Sequence, residues 1–312
     1  MTSSVPSLGL LVDAADSMLA VSIRESVAVE HRRAALGEEL SWRLDVAAQS
    51  VEYAATYHAR VPVPGACDED YLDRWLNVSE DLSVLAGPRF RALDPDMPFV
   101  GIVGASRPIT ATDLPALRRL ATDHFRLFSP RYLCLWAGHP AGAWAGTGAD
   151  MRLLAGRLYD LRQRNVPAAL EAHALTDVSF YEDYCALYAR HHKLRPAHRT
   201  QARPQPVEDL EQLIAAGTAW SVHLDGQPAG IIAARPGVAG GCRGAEVVEL
   251  ALDPHFCGHG YGQHLSTLLA QHVPEPADQF LIGTIHIDNQ PAYRAALTAG
   301  RIDIGGEITT PV

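Results

Sequence analysis

The residues best suited to chemistry are three glycines at alternate positions. Gly258, Gly260 and Gly262 stand in the run Asp253-Pro254-His255-Phe256-Cys257-Gly258-His259-Gly260-Tyr261-Gly262-Gln263. Glycine lets the backbone approach a ligand closely and turn successive N–H groups the same way. Where a helix follows, its first unpaired N–H groups add partial positive charge. The occupant this favours is a pyrophosphate. Two well-known phosphate loops do not match. A dinucleotide loop reads GxGxxG with an acid about twenty residues on, whereas Gly258–Gln263 is followed by His264-Leu265. A nucleoside-triphosphate loop ends in Gly-Lys-Ser/Thr, and no lysine stands here. A plain tight turn is the competing reading.

The elements that must position this loop are a strand over 245–252 (AEVVELAL) and a helix over 260–272. Before them come a strand at 170–176 and a helix at 178–190 with Phe180, Tyr184, Leu187 and Tyr188 on one face. A basic, Pro-rich loop at 191–206 follows, then a helix at 207–216 with acids in its first turn. Strands at 220–224 and 228–234 flank Asp225-Gly226, a strong hairpin signal. A strand at 280–287, a helix at 289–299 and a final strand or two over 301–310 complete the order. Upstream, the first 60 residues read as helix, with Leu11, Ala14, Ala15, Met18 and Leu19 at a helical period. Helices are expected over 69–85, after Thr112-Asp113 and over 149–163, and strands at 99–103 and 132–136. The Gly/Ala-rich stretch 139–150 reads as a surface loop. Strands alternating with helices indicate an α/β (α+β) fold. At 312 residues the chain suits two domains, placed at 1–167 and 168–312.

Composition narrows the function. A formal net charge of -10 argues against a nucleic-acid partner held by a broad basic surface. No apolar run reaches the roughly 18 residues of a membrane span. The leading segment has no basic region and meets Asp13 and Asp16 early, so no secretory signal is expected. The five scattered cysteines include no CxxC pair. Neither a disulfide framework nor a metal site is expected, and the cytoplasm is the default. Of 26 basic residues only Lys193 is lysine, which reads as codon bias.

From residue 168 onward the chain resembles the GNAT superfamily of acetyl-coenzyme A-dependent N-acetyltransferases. The family signature is a strand, V-x-P, then [QR]-x-x-G-x-[GA] opening a helix. Leu252-Asp253-Pro254 and Cys257-Gly258-His259-Gly260-Tyr261-Gly262 stand in those places. The second family element is an Asn opening the next helix and Gly-Phe closing it. Here Asn289 opens it and Gly300-Arg301 closes it. The resemblance implies a mixed, splayed central sheet flanked by helices. It leaves open that the first half is a degenerate GNAT-like unit, acting as a lid on the acceptor site or as an oligomer interface. That half lacks a V-x-P…G-x-G sequence, so a second coenzyme is not expected there.

The resemblance further implies acetyl-coenzyme A as cosubstrate and no metal. Backbone amides of Gly258, His259, Gly260, Tyr261, Gly262 and Gln263, with Cys257 at the first loop position, would hold the pyrophosphate. Leu250, Ala251 and Leu252 would bond the pantetheine arm, and Asn289 would bond the coenzyme near it. Cys257 replaces a Gln or Arg, which implies weaker binding. Many members carry a tyrosine as the acid for the leaving thiolate seven residues after the Asn; that position is Ala296, and Tyr293 lies one turn earlier. The mechanism needs a base, for which Glu246, Glu249 and His286 are candidates. The implied reaction is acetyl transfer to a primary amine of a small molecule, by direct attack in a ternary complex. An N–H near Leu252 would stabilise the oxyanion. The alternatives are a non-catalytic coenzyme-binding regulatory or scaffold protein, or another acyl-coenzyme A reaction on the same fold. The basic run Arg190-His191-His192-Lys193-Leu194-Arg195, with His198, Arg199 and Arg203, is either a solvated face or a seat for a carboxylate-bearing acceptor or the coenzyme 3′-phosphate. No membrane partner is expected, and the chain is read as a monomer or homodimer.

Overall fold

Ser7 starts the first helix, α1 (Leu8–Met18), by accepting the Leu10 N–H on its side-chain oxygen at 3.3 Å. In this computed structural model, residues 6–140 and 142–312 are described. Residues 1–5 of the leading segment and Ala141 of the Gly/Ala-rich stretch lie outside them. After α1 come α2 (Val21–Ser26), α3 (Val29–Trp42) and α4 (Val51–Arg60), the last capped by Ser50. Strands β1 (Arg74–Asn77), β2 (Ser83–Phe90) and β3 (Pro98–Ala105) lead to α5 (Leu114–His124) and β4 (Tyr132–Ala137). Then follow β5 (Gly148–Arg157), α6 (Leu158–Arg162), β6 (Leu170–Ala174), α7 (Tyr181–Leu194), α8 (Val207–Ala215), β7 (Ala219–Leu224) and β8 (Gln227–Ala239). The chain ends with β9 (Cys242–Leu252), α9 (Leu265–His272), β10 (Phe280–His286), α10 (Gln290–Thr298) and β11 (Ile302–Pro311).

Two compact units result. The first runs to Arg152 and takes in Ala239–Gly241 and Ile304–Val312; the second comprises Leu153–Val238 and Cys242–Asp303. This division falls between Arg152 and Leu153, inside β5, whereas the sequence places a boundary at 167/168. The difference arises because α6 packs with the later core, where Leu158 and Leu161 sit with Leu265, Leu268 and Leu281, and because the Leu154 carbonyl of β5 accepts from Arg301.

In the first unit the strand order is β1-β2-β3-β4-β11. β1, β2 and β3 run antiparallel in turn, β4 lies parallel to β3, and β11 is antiparallel to β4. Its core joins Tyr71, Phe90, Phe125 and Phe128, and the Tyr71 hydroxyl donates to Val61 O at 2.6 Å, so the buried phenol is satisfied. In the second unit the order is β5-β10-β9-β8-β7-β6. β6, β7 and β8 are antiparallel neighbours, and β9 and β10 are parallel. Each unit thus feeds antiparallel strands into one parallel pair joined by a helix, β3–α5–β4 in the first and β9–α9–β10 in the second.

Two expected helices are corrected. Over 69–85 the chain forms a 3₁₀ turn (Asp68–Tyr71) and then the β1–β2 hairpin, registered from Arg74↔Ala86 to Asn77↔Ser83. Tyr71, Val78 and Leu82 do fall at helix-like spacing, yet each is packed into the core by tertiary contacts of turn and hairpin. Over 149–163 the chain forms β5 and the short α6. Leu153, Leu154 and Ala155 are buried in succession, so this strand is covered on both faces and lacks the alternation that would mark it.

Candidate functional site

The site is built where β9 and β10 part. Their parallel register runs from Phe280↔Gly244 to Ile282↔Glu246. Beyond that β9 continues to Leu252 and β10 to His286 without further registered pairs. At the vertex the strands are tight, since a Cβ on Gly283 would come within 2.9 Å of Val247 Cβ. On its other edge β9 stays with β8: the Asp253 N–H donates to Ala229 O at 2.7 Å. Alternation along a strand then turns the N–H and C=O of Leu252, and of Leu250, toward the parted edge. The Leu252 carbonyl is met there by His191 Nε2 from α7, at 2.8 Å.

The loop after β9 starts with a 3₁₀ turn (Pro254–Phe256), capped by Asp253 accepting the His255 N–H at 2.9 Å. Gly258 and Gly260 then adopt φ of 87° and 86°. Those left-handed angles, separated by His259, make the backbone concave, as in anion-binding nests. A Cβ on Gly258 would meet nothing within 4 Å, and one on Gly260 only the Gln263 side chain at 3.8 Å. Open space above a concave backbone, followed by a 3₁₀ turn (Tyr261–His264) and then α9, fits a diphosphate. Cys257 is exposed as a residue, but its Sγ is partly covered, 3.7 Å from Leu252 O, and that partial burial raises its thiol pKa, which disfavours a reactive thiolate.

The candidate bases do not lie as strict alternation predicts. On that rule Glu246 shares a face with Val248, Leu250 and Leu252, and Glu249 takes the other. Instead Val247, Leu250 and Leu252 pack with the α9 core, whereas Val248 and Ala251 pack with the α7–α8 core. Glu249 joins the second set, with its carboxylate bonded to α7. The alternation therefore slips by one residue between Val248 and Glu249, as at a β-bulge. Glu249 is 2% exposed. The Tyr184 hydroxyl donates to its Oε1 at 2.6 Å and the Tyr188 hydroxyl to its Oε2 at 2.7 Å. Burial pushes the carboxyl up to about 7, and the two phenols hold it from going higher. Burial and the adjoining carboxylate raise both tyrosines. Glu246 instead pairs with Arg235 at 2.8 Å and stays half exposed.

The other candidates are engaged elsewhere. The Tyr293 hydroxyl donates to Asp303 Oδ2 at 2.8 Å, and Ala296 is buried in the core. His286 Nδ1 accepts the Asp288 N–H at 3.2 Å. Asn289 stands before the first residue of α10 without a side-chain capping bond. Arg190 pairs with Asp253; burial acts to raise that carboxyl, but the His255 N–H and Arg190 outweigh it and hold it below the usual range. Burial lowers the pKa of His198, and the nearby charges of Arg195, His286 and His191 add to the effect. The basic run therefore turns toward the ends of β9 and β10. Arg301, just after α10, is fully buried and donates through Nη2 to Leu154 O and Gly283 O at 2.8 and 2.9 Å. Burial pulls its pKa down to about 10.

Tyr184 and Tyr188 escape sequence reasoning as site residues because their i, i+4 spacing reads as an apolar helix face. A second group escapes it too. In the first unit, donor atoms of Cys134, Asp150 and Glu307 lie within 4.8 Å of one another, which is compatible with a metal ion. Arg91 pairs with Asp150, and burial, then the Asp150 charge, raises the Glu307 carboxyl. The turn of the first unit that corresponds to the glycine loop, between β3 and α5, is closed by its own side chains. Asp113 accepts the Thr110 N–H at 2.8 Å and pairs with Arg107.

No family model matches the sequence, and no curated protein matches it. Among solved structures, the chain is similar to a GCN5-related N-acetyltransferase from Kribbella flavida, with a TM-score of 0.45, 16% identity, and coverage of 85% of this chain and 96% of that one. It is similar to a GCN5-related N-acetyltransferase from Sphaerobacter thermophilus, with a TM-score of 0.46, 11% identity, and 85% and 94% covered. A tandem GNAT protein from the clavulanic acid biosynthesis pathway aligns at a TM-score of 0.42 and 15% identity over 94% and 97%. Each is a similarity and decides no residue's role. No helix among the described residues is long and apolar enough to cross a membrane.

Proposed function

We propose that the chain is an acyl-coenzyme A-dependent N-acyltransferase that moves an acetyl group from acetyl-coenzyme A to a primary amine of a small molecule. The observation that carries this is the coincidence, at one strand end, of a parted parallel pair, a left-handed glycine loop opening a helix and a buried carboxylate raised to about 7. The coenzyme supplies the activated thioester. Gly258 to Gln263 bind its diphosphate with backbone N–H groups. Leu250 and Leu252 orient the arm by their N–H groups on the parted edge, and His191 fixes the Leu252 carbonyl. Glu249 takes the amine proton. Both its oxygens are covered by phenols, so the proton passes through the hydroxyl of half-buried Tyr188. A carboxyl with pKa near 7 is half ionised at neutral pH and suits that task.

A second reading, coenzyme binding without turnover, is favoured by Ala296 at the usual acid position and by Tyr293 being held on Asp303. Thiol release from acetyl-coenzyme A across a panel of primary amines separates the two. The first reading expects release that Glu249→Gln reduces at least a hundredfold; binding with no release from any amine would overturn it.

A further inference from the structure

The first unit has its own parted strand pair. β3 and β4 are registered from Phe99↔Tyr132 to Ile102↔Leu135, then β3 continues to Ala105 and β4 to Ala137. α1 and α3 lie across that opening and leave a cavity of about 90 Å³. Its wall is apolar, with Leu11, Ala15, Met18, Leu36, Ile102 and Leu135 contributing. Glu39 stands in the lining, but its carboxylate already accepts the Gly240 N–H at 3.2 Å. Leu11 leans over Gly104, where even a Cβ would come within 3.1 Å of it, so the wall is closed there. The cavity opens to solvent, so a small guest can reach its mostly apolar lining and take that surface out of water.

Water is a poor occupant, since it needs two to four polar partners. An apolar cavity of about 150 Å³ takes benzene or xenon, so one of the present size suits a smaller guest. We propose that this cavity is a binding site for a small uncharged aliphatic molecule, of the class of short-chain alcohols and hydrocarbons and smaller than benzene. The site lies wholly within the first unit and does not rest on the acyl-transfer reading.

Methyl NMR on the full chain tests it, with 1-propanol, xenon and benzene as probes. 1-Propanol and xenon should each give saturable shifts at the methyls of Leu11, Leu36, Ile102 and Leu135, and benzene none. Ala15→Leu places a larger side chain in the lining and should weaken 1-propanol at least tenfold. Leu36→Ala enlarges the cavity and should admit benzene. Ala14→Val provides a second filling variant if Ala15→Leu does not fold. Shifts from xenon without 1-propanol would mark a void and overturn the proposal. So would 1-propanol shifts that persist unchanged in a folded filling variant, or no saturable shift from either probe.

Discussion

Glu249→Gln should change how stability depends on pH, and the size of the change follows from the site. An exposed glutamate titrates near 4.5, whereas Glu249 in the folded chain titrates at about 7. Below pH 4.5 both states hold the proton and the group contributes no difference. Between 4.5 and 7 the unfolded chain loses its proton first, so the folded state loses stability as pH rises. Above 7 both states are ionised and the full penalty is in place. At roughly 1.4 kcal/mol per pH unit, the gap amounts to about 3 kcal/mol. The substituted glutamine side chain carries no charge, keeps the shape of the glutamate and still offers an oxygen to one phenol. The stability of the variant relative to the native chain should therefore rise by about 3 kcal/mol between pH 4.5 and 8. Urea unfolding at half-unit steps of pH reads this directly. The same proton governs the proposed reaction, so kcat/KM should rise with pH around a midpoint near 7 while stability falls. Parallel stability curves for the two proteins would overturn this expectation, because Glu249 would then titrate as an exposed carboxyl.

Other outcomes follow from single contacts. Gly260→Ala places a side chain at φ 86° and should cost about 1–2 kcal/mol in thermal or urea unfolding, with weaker coenzyme binding in calorimetry. Asp73→Ala leaves the nearly buried Arg89 guanidinium without its 2.7 Å carboxylate partner and should cost about 3–5 kcal/mol in urea unfolding. Arg301→Ala opens a core cavity and strips the Leu154 and Gly283 carbonyls of their shared donor; a loss of about 3 kcal/mol or more is expected by the same measurement.

Much of the second unit is legible in the sequence because its punctuation is local. Asp225-Gly226 sits at the β7–β8 turn with φ of 49° and 76°, and the alternate glycines mark the loop after β9. The strands at 99–103 and 132–136 are short apolar runs and fall within β3 and β4. What escaped depends on tertiary partners. β5 is covered on both faces and mimics a helix, and the segment through the β1–β2 hairpin carries helix-like spacing in Tyr71, Val78 and Leu82. The slip at Val248/Glu249 breaks the two-residue period that assigned Glu246 and Glu249 to opposite faces. Tyr184 and Tyr188 look like core residues until the carboxylate they hold is seen. Cys134, Asp150 and Glu307 come together only through strand pairing across long separations.

Under the proposed function, the loop from Gly258 to Gln263 takes the diphosphate of acetyl-coenzyme A. Isothermal titration calorimetry on the full chain tests it most directly. Saturable binding of one coenzyme per chain is expected, abolished by Gly260→Asp, which sets a carboxylate among the groups meant for phosphate. No heat at high micromolar coenzyme, or binding unchanged in a folded Gly260→Asp variant, would contradict it.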